Sequence, residues 1–237
     1  MLCLAGCLAA CVTAVSATAA RPASGQPATR VMTCNVRITG LPEDETAGRR
    51  WEDCRDACLK AIRMYRPDVI CMQEVIYDSY NYFKEKFSDY VAYGFAGPEM
   101  DPYTEGYHFI GKNVIFFSKK RYEFVSSGCY WLCAQYADGF PQIICGDFNS
   151  GIENAPVACL RDAGWQEAYE AVHGPGEAGF TYHGFKGPDY RKKNARRIDF
   201  IFVRGNLQPV AAEILRDKVD GLYPSDHYFL MSDFIIQ

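Results

Sequence analysis

Short apolar stretches in this sequence run directly into carboxylate and amide residues, and the clearest example is PQIICGDFNS at positions 141–150. The apolar run from Ile143 to Cys145 predicts a buried strand, and a single glycine separates this run from Asp147. Because side chains alternate between the two faces of an extended chain, Asp147 and Asn149 point to the same side. Two polar side chains directed together from the end of a buried strand indicate a functional site.

The same pattern recurs at four other predicted strand ends. Asn35 lies in TCNVR and Glu74 ends ICMQE. Asp199 lies in RRIDFIFV, and Asp226 and His227 lie in YPSDHYF. Each motif by itself is common, since an acid at a strand end is usually solvated or paired on the surface. The five motifs together predict one site, and oxygen ligands of this kind suit Mg²⁺ or Mn²⁺.

The order of the predicted elements favours one layered α+β or α/β domain. Helical periodicity predicts helices at 51–66, 78–88 and 155–172, the last with a break at Gly164. Runs of apolar, β-branched and aromatic residues bounded by turn residues predict strands at 30–38, 68–75, 90–95, 113–118, 121–132, 143–148, 197–205, 207–215 and 227–236. A polar loop is expected at 41–50. A chain of 237 residues that is 49% apolar can bury the core of such a domain.

The amino-terminal segment has the character of a targeting signal. Residues 1–20 are uncharged, small and apolar and end on A-x-A patterns, which predicts a secretory signal peptide. The sequence LAAC ending at Cys11 also matches a lipoprotein cleavage box, so a lipid-anchored form is an alternative. Residues 21–29 are then a linker, and 30–237 form the domain. We therefore expect an exported protein that is periplasmic, secreted or lipid-anchored.

The cysteines and the net charge give little support to other classes. Cys34, Cys71 and Cys145 lie in apolar strands, where a small buried thiol is the expected state. Cys54 and Cys58 share the apolar face of a predicted helix, and no Cys and His pairs have convincing zinc spacing. The formal net charge of −4 gives no global indication of a protein that coats nucleic acid or a membrane surface.

Taken in order, TCNVR, PDVICMQE, GDFNS, RRIDFIFV and SDH resemble the signature of the endonuclease/exonuclease/phosphatase family. The resemblance covers the predicted domain at 30–237. It implies a deoxyribonuclease-I-like fold, in which two mixed β-sheets pack face to face and helices flank them in a four-layer sandwich. It also implies hydrolysis of phosphate esters with a divalent metal ion, of the phosphodiesterase or nuclease type.

The same resemblance implies the metal ligands. Glu74 would bind Mg²⁺ or Mn²⁺, with Asn35 beside it shaping the metal site and contacting the phosphate. Asp226 would support His227 or bind a second metal ion. A metal ion at this position polarises the phosphoryl group and offsets its growing negative charge.

The resemblance also implies the catalytic residues. Asp147 would hold and deprotonate the attacking water, and Asn149 would donate to a phosphate oxygen as charge builds there. His227 would donate to the phosphoryl oxygens or to the leaving group. Asp199 would orient a histidine or help to hold the metal.

Three further residues are candidates for substrate binding. Arg197 has a planar guanidinium that matches phosphate geometry. Tyr182 and His183 lie just upstream of RRID and either line the cleft or pack within a loop. The basic run YRKKNARR at 190–197 is either a solvated loop or a contact for a polyanion. A nucleic acid, a nucleotide, a sugar phosphate and a phospholipid head group are all candidate substrates, and we expect a monomer without an obligate protein partner.

One motif of the family is absent from the sequence. Members normally carry a segment similar to NTHLDH before GDFN, but only nine residues separate Trp131 from Pro141, and none of them is histidine. We therefore predict an internal deletion that removes some central strands and a histidine expected to pair with Asp199. Activity would be impaired, and the alternative is a catalytically inactive binding or remnant protein on the same scaffold. A third hypothesis is an unrelated exported ligand-binding domain whose acids are surface groups.

Overall fold

The computed structural model describes residues 28–95, 111–125, 141–176, 179–190 and 195–237. Within these residues the strands are β1 (Thr29–Asn35), β2 (Val69–Val75), β3 (Tyr90–Tyr93), β4 (Lys112–Ser118), β5 (Gln142–Asp147), β6 (Gln166–Glu167), β7 (Asp199–Arg204), β8 (Leu207–Leu215) and β9 (Phe229–Ile236). The α-helices are α1 (Pro42–Thr46), α2 (Trp51–Tyr65), α3 (Tyr77–Lys86), α4 (Ala155–Asp162) and α5 (Ala168–His173).

Two β-sheets form the centre of the fold. The larger sheet has the strand order β3-β4-β2-β1-β9-β8, and it is mixed because β1 and β2 run parallel while the other neighbours run antiparallel. The described strands of the smaller sheet have the order β5-β7-β6 and are antiparallel. Apolar side chains from both sheets share one core, so the sheets pack face to face.

Strand β7 shows how period-2 alternation builds the layers. Ile201 and Val203 point towards the larger sheet and join the core between the two sheets. Phe200 and Phe202 point to the opposite face, where they pack with Leu160 of α4. Because alternate residues of a strand lie on opposite faces, one short strand is covered on both sides.

Helices α2 and α3 form the layer outside the larger sheet. Cys58 and Ile62 of α2 are fully buried against that sheet. Trp51 at the start of α2 packs edge-on against aromatic rings of α3, with ring centroids 5.6 Å apart. The helix ends where Arg66 adopts a left-handed conformation with φ of 48°, directly before Pro67. With α4 outside the smaller sheet, the layers confirm the expected four-layer sandwich.

The pairing register brings the polar strand ends to one edge of the sandwich. Asn35 at the end of β1 pairs with Gln73 of the parallel strand β2. Asp147 at the end of β5 pairs with Asp199 at the start of β7. Strand β9 is antiparallel to β1, so the loop before β9, which carries His227, reaches the same edge.

Three predicted elements differ in detail from the structure. Residues 41–50, predicted as a loop, contain α1, which begins at Pro42, a residue favoured in the first turn of a helix. The predicted helix 155–172 is divided as expected, but the short strand β6 also separates α4 from α5. Of the strand predicted at 121–132, residues 121–125 form no strand, and the remainder lies outside the described residues.

Other predictions fall partly or wholly outside the described residues. The signal peptide at 1–20 and the junction that follows Trp131 are among them, so the internal deletion stays a prediction. In the described part of the smaller sheet, β5 is an edge strand.

Cys34 is a buried free thiol, as predicted. Among the described helices, none is both long and apolar enough to cross a bilayer.

Candidate active site

Six polar residues meet where the strand ends converge, and we call them the active-site cluster. Its members are Asn35, Glu74, Asp147, Asp199, Asp226 and His227.

A histidine lies between two carboxylates at the centre of this cluster. His227 Nδ1 is 2.9 Å from Asp199 Oδ2, and His227 Nε2 is 3.8 Å from Asp147 Oδ2. All three side chains are buried, and Thr181 Oγ1 accepts a hydrogen bond from the Asp199 backbone N–H at 3.2 Å. The carboxylate of Asp199 therefore fixes the imidazole so that Nε2 faces Asp147.

The surroundings of this histidine shift two pKa values. Burial alone would lower the pKa of His227, but the hydrogen bond to Asp199 and the charges of Asp199, Asp226 and Asp147 raise it to about 9. Burial, followed by the nearby charge of Asp199, raises the pKa of Asp147 above its usual range. At neutral pH, His227 is therefore a cation that can donate a proton, and Asp147 is a stronger base than an exposed aspartate.

The amide of Asn35 joins the carboxylates of the two sheets. Its Nδ2 donates to Glu74 Oε1 at 2.8 Å and to Asp147 Oδ2 at 3.2 Å. Its Oδ1 accepts from the Arg37 backbone N–H at 3.0 Å. Glu74 Oε2 accepts a further bond from the Ile38 backbone N–H at 2.9 Å. Asn35 is itself buried, so it holds Glu74 and Asp147 in fixed positions.

Backbone strain accompanies this arrangement. Glu74 has φ of 62° and lies where the pairing of β2 with β4 shifts register, which is typical of a β-bulge that re-aims a side chain. Asn149 has φ of 50°, and its backbone N–H donates to Asp147 Oδ1 at 2.8 Å. Such left-handed conformations cost about 1–3 kcal/mol for a non-glycine residue and concentrate at functional sites.

Arg37 is a site residue that the sequence interpretation missed. Its Nη1 lies 3.3 Å from Asp226 Oδ2, and its Nε lies 3.0 Å from Asp44 Oδ2. Asp226 Oδ1 accepts from the hydroxyl of Ser225 at 3.2 Å. Arg37 lies inside the quoted motif TCNVR, but that motif gives no indication that its side chain reaches Asp226 from another strand end.

The structure does not bring Arg197 to the active-site cluster. Its side chain is buried, pairs with Glu167 at 3.1 Å and stacks over the rings of Tyr169 and Phe200. A guanidinium used in this way joins α5 to the smaller sheet and is not presented to a phosphate. The prediction that Arg197 contacts phosphate is corrected on this ground.

Tyr182 and His183 take different positions. The ring of Tyr182 packs edge-on against His227 at 5.1 Å, and the two residues form a β-bridge, so Tyr182 lies beside the cluster. His183 is fully buried and packs against Tyr228, with ring centroids 4.0 Å apart. His183 therefore lies within the loop packing, which was the alternative to lining the cleft.

The pairing of Asp199 corrects a second expectation. The absent histidine was expected to pair with Asp199, but His227 occupies that position. The loss of an NTHLDH-type segment would therefore not leave the Asp199 carboxylate without a partner. Asp226, expected to support His227 or a second metal ion, acts on His227 through its charge, and its carboxylate is hydrogen-bonded to Arg37 and Ser225.

The donor set fits a hard divalent cation. The active-site cluster holds four carboxylates, and the cationic side chain of Arg37 is shared between one of them, Asp226, and Asp44 outside the cluster. Ligand atoms of Asp147, Asp199 and His227 lie within 4.8 Å of one another. Both nitrogens of His227 already face carboxylates, however, so Glu74, whose hydrogen-bond donors are neutral amides, is the better ligand.

A cavity adjoins the cluster on the Arg37 side. Its volume is about 130 Å³, and Arg37, Asp44, Arg49, Trp51 and Phe185 are among its lining residues. The cavity does not reach the buried pair of Asp199 and His227. Arg37 is therefore the connection between this cavity and the cluster.

Comparison with known proteins identifies a family and shared folds. The model of the endonuclease/exonuclease/phosphatase family matches residues 32–227. A member of that family from Bacteroides vulgatus is 17% identical, with a TM-score of 0.72 over 90% of this chain and 100% of its own. A mannosyl-6-phosphatase from Bacteroides thetaiotaomicron is 16% identical, with a TM-score of 0.70 over 88% and 100%. TDP2 from D. rerio, solved with a single-strand DNA product, is 19% identical, with a TM-score of 0.62 over 88% and 99%. Among curated proteins, no match is found.

Proposed function

Because the chain belongs to the endonuclease/exonuclease/phosphatase family, we propose that it hydrolyses phosphate esters with the help of a divalent metal ion. The observation that carries this proposal is the buried line of Asp199, His227 and Asp147, with His227 Nδ1 at 2.9 Å from Asp199 and Nε2 at 3.8 Å from Asp147. In this proposal His227 is the proton donor and Asp147 is the proton acceptor, and the two lie side by side at the edge where five strand ends meet.

In the proposed mechanism, Asp147 accepts a proton from the attacking water. Its raised pKa makes it a better base near neutral pH than an exposed aspartate. Asn35 holds the Asp147 carboxylate at 3.2 Å and so fixes the direction of attack. Asn149 lies exposed at the mouth, where its amide can donate to a phosphate oxygen as negative charge builds.

His227 supplies a positive charge beside Asp147. Asp199 keeps the imidazole protonated and oriented, so that Nε2–H is available to a phosphoryl oxygen or to the leaving group. Tyr182 packs against the ring and limits its rotation. Asp199 is thus a positioning residue, whereas His227 touches the reacting atoms.

We propose Mg²⁺ or Mn²⁺ as the cofactor. Glu74, with Asn35 beside it, would hold the ion, which when bound polarises the phosphoryl group. Glu74 is half-buried and accepts its two described hydrogen bonds from neutral amides, so its negative charge can attract the ion.

The substrate class stays open within phosphate esters. A mannosyl-6-phosphatase and TDP2 bound to a DNA product share the fold with this chain, at 16% and 19% identity. We propose a substrate among nucleic acids, nucleotides, sugar phosphates and phospholipid head groups, acted on by a monomer. We also propose export, which the uncharged apolar stretch at 1–20 supports.

Hydrolysis of two chromogenic probes tests the proposal. Bis(p-nitrophenyl) phosphate and p-nitrophenyl phosphate, each with Mg²⁺ or Mn²⁺, separate diesterase from monoesterase activity. Asp147→Asn should lower the rate by roughly 10²- to 10⁴-fold, the usual contribution of a general base. Asp53→Asn, which changes an exposed acid on α2, should leave the rate unchanged.

The outcomes separate the proposal from the inactive alternative. Metal-dependent hydrolysis that depends on Asp147 supports it. Hydrolysis that survives Asp147→Asn would contradict the assigned base. Failure of the folded protein to hydrolyse either probe, or any of a panel of nucleotides, sugar phosphates and sphingomyelin, would favour the inactive binding protein.

A further inference from the structure

Two thiols meet in the core between the two sheets. Cys71 of β2 and Cys145 of β5 both pack into this shared core, and both are free and partly buried. Period-2 alternation turns Cys71 towards the smaller sheet together with Val69, and it turns Cys145 towards the larger sheet together with Ile143. The Cys145 thiol is hydrogen-bonded to Cys71, and this bond and burial raise the pKa of Cys145 well above its usual range.

The two sheets approach each other closely where these cysteines lie. Stacked sheets are usually about 10 Å apart, but Cα atoms of β2 and β5 come within 8 Å of each other. The side chain of Gln73 lies directly against Gly146, since a Cβ added to that glycine would be 3.6 Å from Gln73 Nε2. Disulfides join cysteines whose Cα atoms are about 4.4–6.8 Å apart. A bond between β2 and β5 therefore requires little movement of either sheet.

The two cysteines also lie just before two carboxylates of the active-site cluster. Cys71 precedes Glu74 in β2, and Cys145 precedes Asp147 in β5. Asn35 donates to both carboxylates, at 2.8 Å and 3.2 Å. In the described part of the smaller sheet, β5 is an edge strand whose neighbour is β7. A covalent link at this point would hold the strand that carries Asp147 against the strand that carries Glu74.

We propose that Cys71 and Cys145 form a disulfide that joins the two sheets beneath the active-site cluster when the chain folds in an oxidising medium. Two S–H bonds break and one S–S bond forms. The two electrons and two protons reduce the oxidant, a small-molecule or protein disulfide, to two thiols. The inference goes beyond the proposed function and does not need it. Only its occurrence in the cell rests on the proposed export, because disulfides persist in oxidising compartments.

Peptide mapping after oxidative refolding tests the inference. The full chain is refolded in a buffer of reduced and oxidised glutathione, and its free thiols are then alkylated. Mass spectrometry of the digest, before and after reduction, identifies the linked peptides. We expect the peptide that contains Cys71 to be linked to the peptide that contains Cys145. The linked form should melt roughly 4–16 °C above the reduced form, which is the usual effect of a disulfide on a chain of this size.

Matched cysteine variants isolate the pair. Cys71→Ala and Cys145→Ala should each abolish the linkage and the difference in melting temperature between the oxidised and reduced forms. Cys34→Ala removes a buried thiol of β1 that packs on the helix-covered face of the larger sheet, and Cys159→Ser removes an exposed thiol of α4. Both of these variants should keep the linkage and the difference.

Hydrogen exchange of the unmodified chain supplies a second measurement that needs no variant. Reduction of the disulfide should speed the exchange of backbone amides in the edge strand β5. It should have less effect on β1, because β1 lies between β2 and β9 in the interior of the larger sheet. This measurement decides the question if the variants at Cys71 and Cys145 do not fold.

Three results would overturn the inference. The first is that Cys71 and Cys145 remain free after refolding in the oxidising buffer, and the second is that either one is linked to another cysteine. The third is a linked pair whose reduction changes neither the melting temperature nor the exchange in β5, since such a bond would not hold the sheets together. None of these results bears on phosphate-ester hydrolysis, which the comparison with Asp147→Asn tests separately.

Discussion

A buried ion pair at the far end of β1 provides a quantitative test of how the larger sheet is held together. Arg30 Nε and Nη2 each donate to a different carboxylate oxygen of Asp233 in β9, both at 2.7 Å, and both side chains are almost fully buried. Arg30 Nη1 also donates to the Tyr65 carbonyl at the end of α2 at 2.8 Å. This side chain therefore joins β1, β9 and α2.

Asp233→Asn leaves the guanidinium buried without its main counter-charge. Asp68, another nearby carboxylate, is already paired with Arg121 at 2.7 Å. Breaking a buried pair by removing one partner typically costs about 3–5 kcal/mol. For a chain of this size each kcal/mol shifts the melting temperature by roughly 2–4 °C, so we expect a decrease of about 6–20 °C.

Urea unfolding and thermal melts measure this prediction. Asp53→Asn breaks the exposed pair with Arg50 and should cost less than about 1 kcal/mol. Replacing the buried pair by Arg30→Met with Asp233→Leu should recover part of the loss, because no uncompensated charge then remains in the interior. If Asp233→Asn lowers the free energy of unfolding by no more than Asp53→Asn does, the claim that this buried pair stabilises the larger sheet is refuted.

Three further predictions concern the active-site edge. Asp199→Asn should lower the pKa of His227 from about 9 towards 6.5. Burial opposes the charged imidazole, and the hydrogen bond and charge of Asp199 are the main causes that raise this pKa. NMR titration of the imidazole without metal measures the change. Gly187→Ala should destabilise the protein by several kcal/mol, since Gly187 has φ of +55° and an added Cβ would overlap the hydroxyl of Tyr223; chemical denaturation checks it. The side chain of His183 is fully buried, and this burial, followed by the charge of His227, lowers its pKa from 6.5 to about 4. As the pH falls, His183 is therefore protonated in the unfolded state before it is protonated in the folded state. The contribution of His183 to stability should then decrease by about 2 kcal/mol between pH 7 and pH 5, and comparison of His183→Gln with the unmodified chain in urea titrations should isolate this contribution.

The Gly187 prediction has a matched control within the chain. Gly164 has φ of +84° and nothing within 4 Å of an added Cβ, so Gly164→Ala should show the backbone cost alone. If it destabilises as much as Gly187→Ala, the steric argument fails. A His227 whose pKa stays near 9 in Asp199→Asn, or a His183→Gln protein with unchanged pH dependence, would contradict the corresponding assignment. His227 itself works in the opposite direction: its raised pKa stabilises the fold below 6.5 and this contribution is lost as the pH rises through 9.

The local periodicity of the sequence predicted most of the helices and strands. The apolar run in RRIDFIFV predicts a strand at 197–205, and the structure has β7 there, covered by the larger sheet on one face and by α4 on the other. The sequence also predicted the end of α4 before β6, because Gly164 interrupts a helical pattern. The short helix α1 was missed, since five residues are too few to establish helical periodicity.

The partners of the polar residues required the tertiary structure. Arg197 and Asp199 are two positions apart, yet one pairs with Glu167 in the interior and the other holds His227. Arg37 adopts a left-handed backbone conformation that a strand pattern does not predict. In this conformation its side chain forms an ion pair with Asp226.

Local sequence was enough to establish which strand ends carry acids and amides, because the period of a strand fixes the face on which each side chain lies. The order of the motifs was enough to assign GDFN and SDH to one site, through the family that this order indicates. Which charges neutralise one another could be read only from the folded chain. That pairing depends on the register between β1 and β9, on the stacking of the two sheets and on the bulge at Glu74, all of which are long-range relations that no local pattern contains.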